Sequence, residues 1–362
     1  MKTYLVKNPI AVKILSLIDA VLPDCQKAEP ISPPSSILIS NIAHIGDAVI
    51  TTSIIRMIKD ACPQIKIGVL CGSWSADVFK HHGIVHTVDH WKLNRSEISF
   101  WDKYQKYRKS SNVALKQIRE QKYDVAIDLY PYFPNSIPLL MQAKIPVRIG
   151  YESGGFGPLL THRLQAVDFL KGAAENFAFL VRKFLPFSFD SFSPRPDLPI
   201  KDVKKQDYLV LHMGTGYALK EWPEENWREL AIALDRRGEK IVFTGRGKRE
   251  KERIQRVMEG LMGAVDLCDQ LDWDRLVMTM KGAKGLISVD SVSGHIASAF
   301  EIPSVILLSG INPPLFWKPP GSQTLMRAMP CAPCLASRGC GAMSCIREIS
   351  ADEVLQIYEK LF

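Results

Sequence analysis

One turn of the chain has the residue types that bind a phosphate group. An apolar run ends at Gly214, Thr215 and Gly216, and Lys220 follows shortly before a helix that begins at Pro223. Backbone N–H groups at such a turn, next to a helix N-terminus, attract an anion, and the Lys220 ammonium adds a point charge. A lone lysine here is more often a solvated helix-entry residue. The phosphate interpretation therefore depends on the glycines and the threonine beside it.

A second turn of this kind follows the apolar strand predicted at 285–290. It contains Asp290, Ser291 and His295. Asp290 has an alternative role as a helix cap, and His295 has one as a buried histidine bonded to the backbone. Capping does not conflict with ligand binding, because a capping turn can also contact a ligand. Together the two turns predict a nucleotide held between two strand-to-helix turns of one α/β domain.

A third turn, in the first half of the chain, carries an acidic residue. After the predicted strand 37–40, Gly46 permits close approach and Asp47 stands where a helix begins. Asp47 is either an ordinary capping residue or a carboxylate that acts as general base. His44 is the competing base, because histidine titrates near neutral pH.

Length and charge limit the class of protein. The 362 residues exceed what one core usually holds, so two domains are expected. The net charge is +8 and the pI is about 9.0, which favours an anionic partner such as a nucleotide, nucleic acid, phosphorylated glycolipid or membrane surface. No apolar run reaches the ~20 residues of a membrane span.

The N-terminal region carries an apolar patch, 9–22, interrupted by Lys13 and Asp19. No small-residue cleavage site follows it, so the patch predicts a helix capped by Asn8, and not a signal peptide. Its apolar face comprises Ile10, Ile14, Leu17, Ile18 and Val21. We expect this face to pack on the protein's own core; the alternative is an interfacial helix assisted by Lys2, Lys7 and Lys13.

The remaining chain alternates strand-like and helix-like segments in two series. Predicted strands span 37–40, 67–70, 87–90, 125–129 and 147–151, then 208–213, 240–245, 264–267, 285–290 and 304–309. Predicted helices span 47–61, 74–82, 111–121 and 135–142, then 223–237, 249–262, 272–281 and 293–300. This alternation predicts an α/β fold with two Rossmann-like domains, each with a parallel sheet. The predicted domains are 1–190, with a linker before residue 37, and 191–362, with the active site between facing sheets.

Three motifs in this order resemble glycosyltransferase family 9, the bacterial heptosyltransferases of lipopolysaccharide core assembly and their relatives. They are Gly46-Asp47 with Thr51-Thr52, Lys220-Glu221-Trp222-Pro223, and Asp290 with His295, within a resemblance that spans residues 37–355. The resemblance implies a GT-B fold and an inverting transfer of a sugar, typically heptose from ADP-heptose, with no catalytic metal or other required cofactor. This chain departs from the family pattern at residues 40–44, at Ser53 and at Val292.

By position in these motifs, Asp47 is similar to the general base that deprotonates the acceptor hydroxyl. The residues similar to donor contacts are Thr215, Gly216, Lys220, Glu250, Asp290, Ser291 and His295. The chemistry agrees with this resemblance, because Lys220 and backbone amides can stabilise the charge on a departing nucleoside diphosphate. Trp222 and Trp227 are predicted to pack in the core and not to stack on a base.

Four of the eight cysteines lie within fifteen residues near the C-terminus. They are Cys331, Cys334, Cys340 and Cys345, spaced C-x2-C-x5-C-x4-C. Four thiolates so close in sequence suit a structural zinc or iron ion. The alternative is a compact loop of reduced cysteines.

The segment 91–122 is rich in basic and aromatic residues. It is either a solvated helix face without a binding role or a binding surface. As a binding surface, it suits an acidic glycolipid acceptor first and nucleic acid second.

The residues and the resemblance together lead us to expect a cytoplasmic glycosyltransferase, in peripheral contact with the inner membrane face, that moves heptose from ADP-heptose onto a glycolipid. Alternatives are a protein hydroxyl acceptor, another nucleotide sugar, or a non-catalytic nucleotide- or nucleic-acid-binding protein.

Overall fold

The computed structural model describes residues 4–5, 8–90, 98–133, 136–334 and 340–361. The chain divides into two compact units, Met1–Asp197 and Leu198–Phe362. Several residues singled out by the sequence lie outside the described ranges: Lys2, Lys7, Trp91, Lys92 and Arg95. None of the described helices combines the length and the apolar character that a membrane crossing needs.

The first unit is built around a six-stranded parallel sheet. Its strands are β1 (Ser36–Asn41), β2 (Lys66–Cys71), β3 (Ile84–Thr87), β4 (Val125–Asp128), β5 (Val147–Tyr151) and β6 (His162–Leu164). They pair in the order β3-β2-β1-β4-β5-β6. The direction of strand addition reverses between β1 and β4, and ligands of open parallel sheets bind outside the carboxyl ends of the strands at such a reversal.

Within the described ranges, five α-helices accompany this sheet. They are α1 (Pro9–Val21), α2 (Ile45–Ala61), α3 (Phe100–Gln121), α4 (Ile137–Gln142) and α5 (Ala173–Phe184). Helix α3 contributes Leu115 and Ile118 to a buried cluster that also contains Leu38 and Leu70 of the sheet. Because buried apolar side chains fix the helices against the strands, the carboxyl edge of the sheet has a defined geometry.

Helix α1 corrects one expectation. Asn8 caps it as predicted, since its side chain accepts hydrogen bonds from the N–H groups of Ile10 and Ala11 at 2.9 and 3.2 Å. The prediction that its apolar face packs on the core is wrong. The buried residues of α1 are Leu15 and Asp19, whereas Leu17 and Val21 are exposed. The helical periodicity identified the apolar face of α1 correctly, but the helix packs on the first unit through the face that carries Leu15 and Asp19.

The second unit repeats the same topology. Its strands are β7 (Leu209–His212), β8 (Ile241–Thr244), β9 (Ala264–Asp266), β10 (Gly285–Val289), β11 (Ser304–Leu307) and β12 (Gln323–Leu325). They pair in parallel in the order β12-β11-β10-β7-β8-β9. Here the reversal lies between β7 and β10, which are the two strands that lead into the predicted phosphate turns.

In the part of the second unit that the structure describes, seven α-helices are present. They are α6 (Glu224–Arg236), α7 (Lys248–Met258), α8 (Trp273–Gly282), α9 (Val292–Ala299), α10 (Pro314–Trp317), α11 (Ser344–Arg347) and α12 (Ala351–Leu361). Trp222 is fully buried and its Nε1–H donates to the carbonyl of Ile349 at 2.8 Å, while its ring lies 5.0 Å from that of Trp227. Both tryptophans therefore pack in the core, as predicted.

The α/β prediction with two parallel sheets is confirmed, with local differences at three strands. The third strand spans Ile84–Thr87 and not 87–90. Val88 and His90 are buried although the strand has already ended, and this burial explains why the sequence pattern placed the strand too late. Strands β6 and β12 were not predicted, since each has only three residues and half-buried or polar side chains at an edge of its sheet. Short edge strands carry little periodic signal.

Candidate functional site

In the first unit, Asp47 is fixed at the start of α2, next to the carboxyl end of β1. Its Oδ2 accepts a hydrogen bond from the backbone N–H of His44 at 3.0 Å. The Asn41 side chain, at the end of β1, donates to the Thr51 hydroxyl at 2.8 Å, and this hydroxyl donates to the Asp47 carbonyl at 2.9 Å. With only 6% of its surface exposed, Asp47 both caps the helix and presents a carboxylate in one orientation.

Two tyrosines that sequence reasoning missed lie near this carboxylate. Burial, and then the negative charge of Asp47, raise the pKa of Tyr130 and the pKa of Tyr132 well above the usual range for a phenol. Both phenols therefore stay protonated at neutral pH and are hydrogen-bond donors. The segment after β4 thus supplies neutral polar groups in the electrostatic field of Asp47.

A second carboxyl group, Asp128, also belongs to this edge and was missed. It ends β4, where its Cα pairs with that of Ser40 on β1. Its Oδ1 accepts from the Ser136 hydroxyl at 2.8 Å, whereas its Oδ2 has no hydrogen-bond partner in the part of the chain that the structure describes. Burial raises the pKa of Asp128 from 3.8 to about 7. The available signal was the position of this carboxyl group next to the last residue of the predicted strand 125–129.

The raised pKa of Asp128 predicts a pH-dependent stability. Between pH 3.8 and about 7 the folded protein holds a proton that the unfolded chain releases, so the free energy of unfolding falls as pH rises through this window. Asp128→Asn stays neutral and can still accept from Ser136. We expect the variant to match the wild type at about pH 4 and to exceed it by up to about 4 kcal/mol at pH 8. Urea unfolding at both pH values measures this, and a variant less stable at pH 8 would show that the ionised form is favoured.

In the second unit, three loops meet at the carboxyl edge, because β7 pairs with both β10 and β8. The Lys220 Nζ lies 2.6 Å from Asp290 Oδ2, which joins the loops after β7 and β10. The Thr215 hydroxyl donates to the Asp290 carbonyl at 3.4 Å. Both charged side chains of the pair keep some solvent access, at 19% and 13%. The predicted phosphate residues Thr215, Lys220 and Asp290 are thus brought together.

His295 lies one turn into α9, beneath this pair. Burial lowers the pKa of His295 from 6.5 to about 4, so its ring is neutral at physiological pH. The charges of Asp290 and Lys220 act on it in opposite directions and are smaller than the effect of burial. Its Nδ1 has no hydrogen-bond partner among the residues described in the structure. The hydroxyl of Ser291 lies 2.7 Å from that of Ser293, which links the start of α9 into a network of serines.

Glu250 stands in the first turn of α7, which follows β8, and reaches the same edge. Its Oε2 accepts from the N–H of Arg246 at 2.9 Å, and burial raises the pKa of its carboxyl. A Cβ atom at Gly214 would overlap this carboxylate, so any other residue in the turn after β7 would displace the Glu250 side chain. Glu250 therefore lies against the predicted phosphate turn. Gly216 belongs to the same turn, where it is exposed.

The four C-terminal cysteines are not brought together. Cys331, Cys334 and Cys340 are exposed, whereas Cys345 is buried in α11. Among the His, Cys, Asp and Glu side chains of the described ranges, no three lie close enough to hold a metal ion. This arrangement does not fit the tetrahedral zinc or iron site that the spacing predicts. The Cys345 side chain is part of the buried core of the second unit, whereas the other three thiols are exposed.

Two parallel sheets with the same strand order, the second with a cationic turn at its carboxyl edge, form an α/β architecture of the GT-B type. The structure of Escherichia coli heptosyltransferase WaaC with ADP has this fold, with a TM-score of 0.70 and 20% identity over 90% of this chain and 100% of that chain. The model of glycosyltransferase family 9 (heptosyltransferase) matches residues 114–340. The chain belongs to this family and is a glycosyltransferase of the heptosyltransferase type.

Individual relatives agree with this assignment. Lipopolysaccharide heptosyltransferase 1 of Pseudomonas aeruginosa is 26% identical over 308 residues, which cover 83% of this chain and 86% of that protein. The iron-containing dodecameric glycosyltransferase TibC from enterotoxigenic E. coli shares the fold at a TM-score of 0.56 and 14% identity, over 92% of this chain and 80% of that chain. The predicted family and enzyme class are thereby confirmed.

Proposed function

We propose that this enzyme transfers heptose from ADP-heptose to a hydroxyl of an acidic glycolipid of the lipopolysaccharide-core type. The observation that carries this proposal is the Lys220–Asp290 pair, which joins two neighbouring turns at the carboxyl edge of β7 and β10 at 2.6 Å. A cation held at the reversal point of a parallel sheet suits a nucleoside diphosphate. The names of the relatives support this choice, since one is a lipopolysaccharide heptosyltransferase and another is a heptosyltransferase whose structure was solved with ADP.

On the donor side, the loops after β7 and β10 bind the diphosphate. Asp290 orients the Lys220 ammonium, and Thr215 adds a hydroxyl donor from the same turn. When the bond between the sugar C1 and the diphosphate oxygen breaks, negative charge develops on ADP. Lys220 and the backbone N–H groups at the start of α9 stabilise that charge. Neutral His295, buried beneath the pair, adds no competing positive charge.

On the acceptor side, Asp47 accepts the proton of the attacking hydroxyl as the new C1–O bond forms. The hydrogen bond from the His44 N–H fixes its orientation, which general-base catalysis requires. The proton passes from the acceptor oxygen to the Asp47 carboxylate, and the products are the glycosylated acceptor and ADP. Tyr130 and Tyr132, protonated near Asp47, are suited to donate hydrogen bonds to an acidic acceptor.

Donor specificity can be tested by thermal unfolding in the presence of ADP-heptose and of ADP, UDP, GDP and dTDP sugars. We expect a rise in Tm of several degrees with saturating ADP-heptose, because a ligand at 100 times its Kd adds about 2.7 kcal/mol to the free energy of unfolding. The other bases should give smaller shifts. A larger shift with a different nucleotide sugar would change the donor, and no shift with any of them would contradict the donor site at Thr215, Lys220 and Asp290.

A further inference from the structure

Helix α1 presents a stripe of large apolar side chains to solvent. Ile10, Ile14, Leu17 and Val21 are 52–83% exposed. Their spacing of four, three and four residues places them on one side of the helix. A continuous exposed stripe of this kind differs from the isolated apolar residues that are normal on protein surfaces.

The orientation of α1 is fixed by contacts on its opposite side. Asp19 Oδ1 accepts from the N–H of Phe156 at 2.8 Å, and Asp19 Oδ2 accepts from the Tyr4 hydroxyl at 2.9 Å. The Leu15 side chain is buried against Gly155, where an added Cβ would lie 3.0 Å from a Leu15 methyl carbon. These contacts attach α1 to the segment that follows β5, so its apolar stripe faces outward.

The first turns of α3 present a second apolar surface. Phe100, Trp101 and Tyr104 are 55%, 69% and 37% exposed. The ring centroids of Phe100 and Trp101 are 5.6 Å apart, and Tyr104 lies 6.4 Å from each of them. The first ten residues of α3 also contain four basic residues and one acidic residue, Asp102; the basic residues are Lys103, Lys106, Arg108 and Lys109.

Both surfaces lie at the carboxyl edge of the first sheet. Helix α3 follows β3 in the chain and begins at that edge, while α1 is attached to the residues after β5. Leu170, 82% exposed in the loop between β6 and α5, belongs to the same edge. Since Asp47 follows β1, the candidate base lies at the edge that carries these exposed apolar and basic groups.

We propose that this edge is a docking surface for an anionic lipid bilayer, formed by the α1 stripe and the aromatic, basic start of α3. Apolar helix faces and tryptophan or tyrosine rings insert at the boundary between headgroups and acyl chains, and lysines and arginines attract anionic headgroups. The net charge of +8 acts in the same direction. The proposal rests on the proposed function only in that a lipid-borne acceptor would enter from this surface.

Vesicle co-sedimentation of the full chain tests the proposal. The wild type should bind vesicles of phosphatidylethanolamine and phosphatidylglycerol, bind phosphatidylcholine vesicles at least about tenfold more weakly, and lose affinity as salt is added. The variant L17D/V21D places charges on the apolar stripe and should weaken the partition coefficient at least about tenfold. Trp101→Ser should weaken it several-fold.

A matched control is M262D/V265D in the second unit, where both side chains are likewise exposed, at 94% and 51%. It should bind vesicles as the wild type does, and unfolding midpoints should show that all variants fold. Vesicle binding by L17D/V21D at the wild-type level would overturn the proposal, as would a wild type that binds no vesicles. A wild-type dimer that L17D/V21D converts to a monomer, without vesicle binding, would assign the stripe to a second copy of the chain.

The same variant separates this proposal from the proposed function. Transfer of heptose to a water-soluble, lipid-free acceptor fragment should be equal in L17D/V21D and the wild type, because α1 contributes no residue to the candidate site. A wild type that binds vesicles but transfers no heptose would contradict the proposed function and leave the docking surface standing. A wild type that transfers heptose but binds no vesicles would contradict the docking surface and leave the proposed function standing.

Discussion

Asp47→Asn should lower kcat for heptose transfer by about a thousandfold. Asparagine has the shape of aspartate and its Oδ1 can still accept the hydrogen bond from the His44 N–H, so the start of α2 stays capped. It cannot take the acceptor proton, however. Donor affinity should change little, because the donor residues belong to the second unit. Transfer rates with excess donor and acceptor, together with donor titration, separate the two effects.

The matched control is Asp60→Asn, near the end of the same helix, where the side chain is exposed. It should leave kcat within about twofold of the wild type, in keeping with a surface substitution. Wild-type turnover by Asp47→Asn, with unfolding midpoints equal in all three proteins, would rule out Asp47 as the base. His44 would then be the next residue to replace.

Lys220→Met should weaken the binding of ADP-heptose by about a hundredfold, since a hydrogen bond to a charged group contributes about 1.5–3 kcal/mol. The loss has two parts. The ammonium that faces the diphosphate is removed, and the Asp290 carboxylate, 2.6 Å from it in the wild type, is left to repel the phosphates. Isothermal titration with ADP and with ADP-heptose measures the change, and kcat should fall as well.

The double variant K220M/D290N isolates the repulsion between the unpaired Asp290 carboxylate and the phosphates. Neutralising Asp290 in the Lys220→Met background should restore a measurable share of the donor affinity, because it removes the uncompensated carboxylate. Lys248→Met is the matched control, since Lys248 is 89% exposed at the start of α7. Wild-type affinity in Lys220→Met would place the diphosphate elsewhere. If the double variant binds the donor more weakly than Lys220→Met does, Asp290 itself contributes to donor binding.

Many of the residues that meet at the carboxyl edge of the second sheet could be predicted from the sequence, for a local reason. Buried parallel strands read as short apolar runs, and the turns that follow them show their glycine, hydroxyl and charged residues within a few positions. Thr215 and Lys220 stand in one such turn and Asp290 in another, and the structure joins them. The sheet order that makes β7 and β10 neighbours follows the general rule for parallel sheets.

Residues of the site that lie far apart along the chain were harder to predict from the sequence. Tyr130 and Asp128 stand more than eighty positions after Asp47, and only the pairing of β1 with β4 brings their segment to its side. Neither residue belongs to a motif with a recognisable spacing. The raised pKa of Asp128 likewise comes from burial, which a sequence pattern does not measure.

By itself, the sequence determined the two α/β series, the capped helix α1, the glycine- and hydroxyl-containing turns after β7 and β10, and the acidic turn at Asp47, because each depends on neighbours within a few residues. Only the tertiary structure decided which side of α1 is buried, that Cys345 points into the core while the other three cysteines stay exposed, and that Glu250 lies against Gly214. These outcomes depend on which distant segments pack together. Packing is selected by the burial of the whole core, and local periodicity does not specify it.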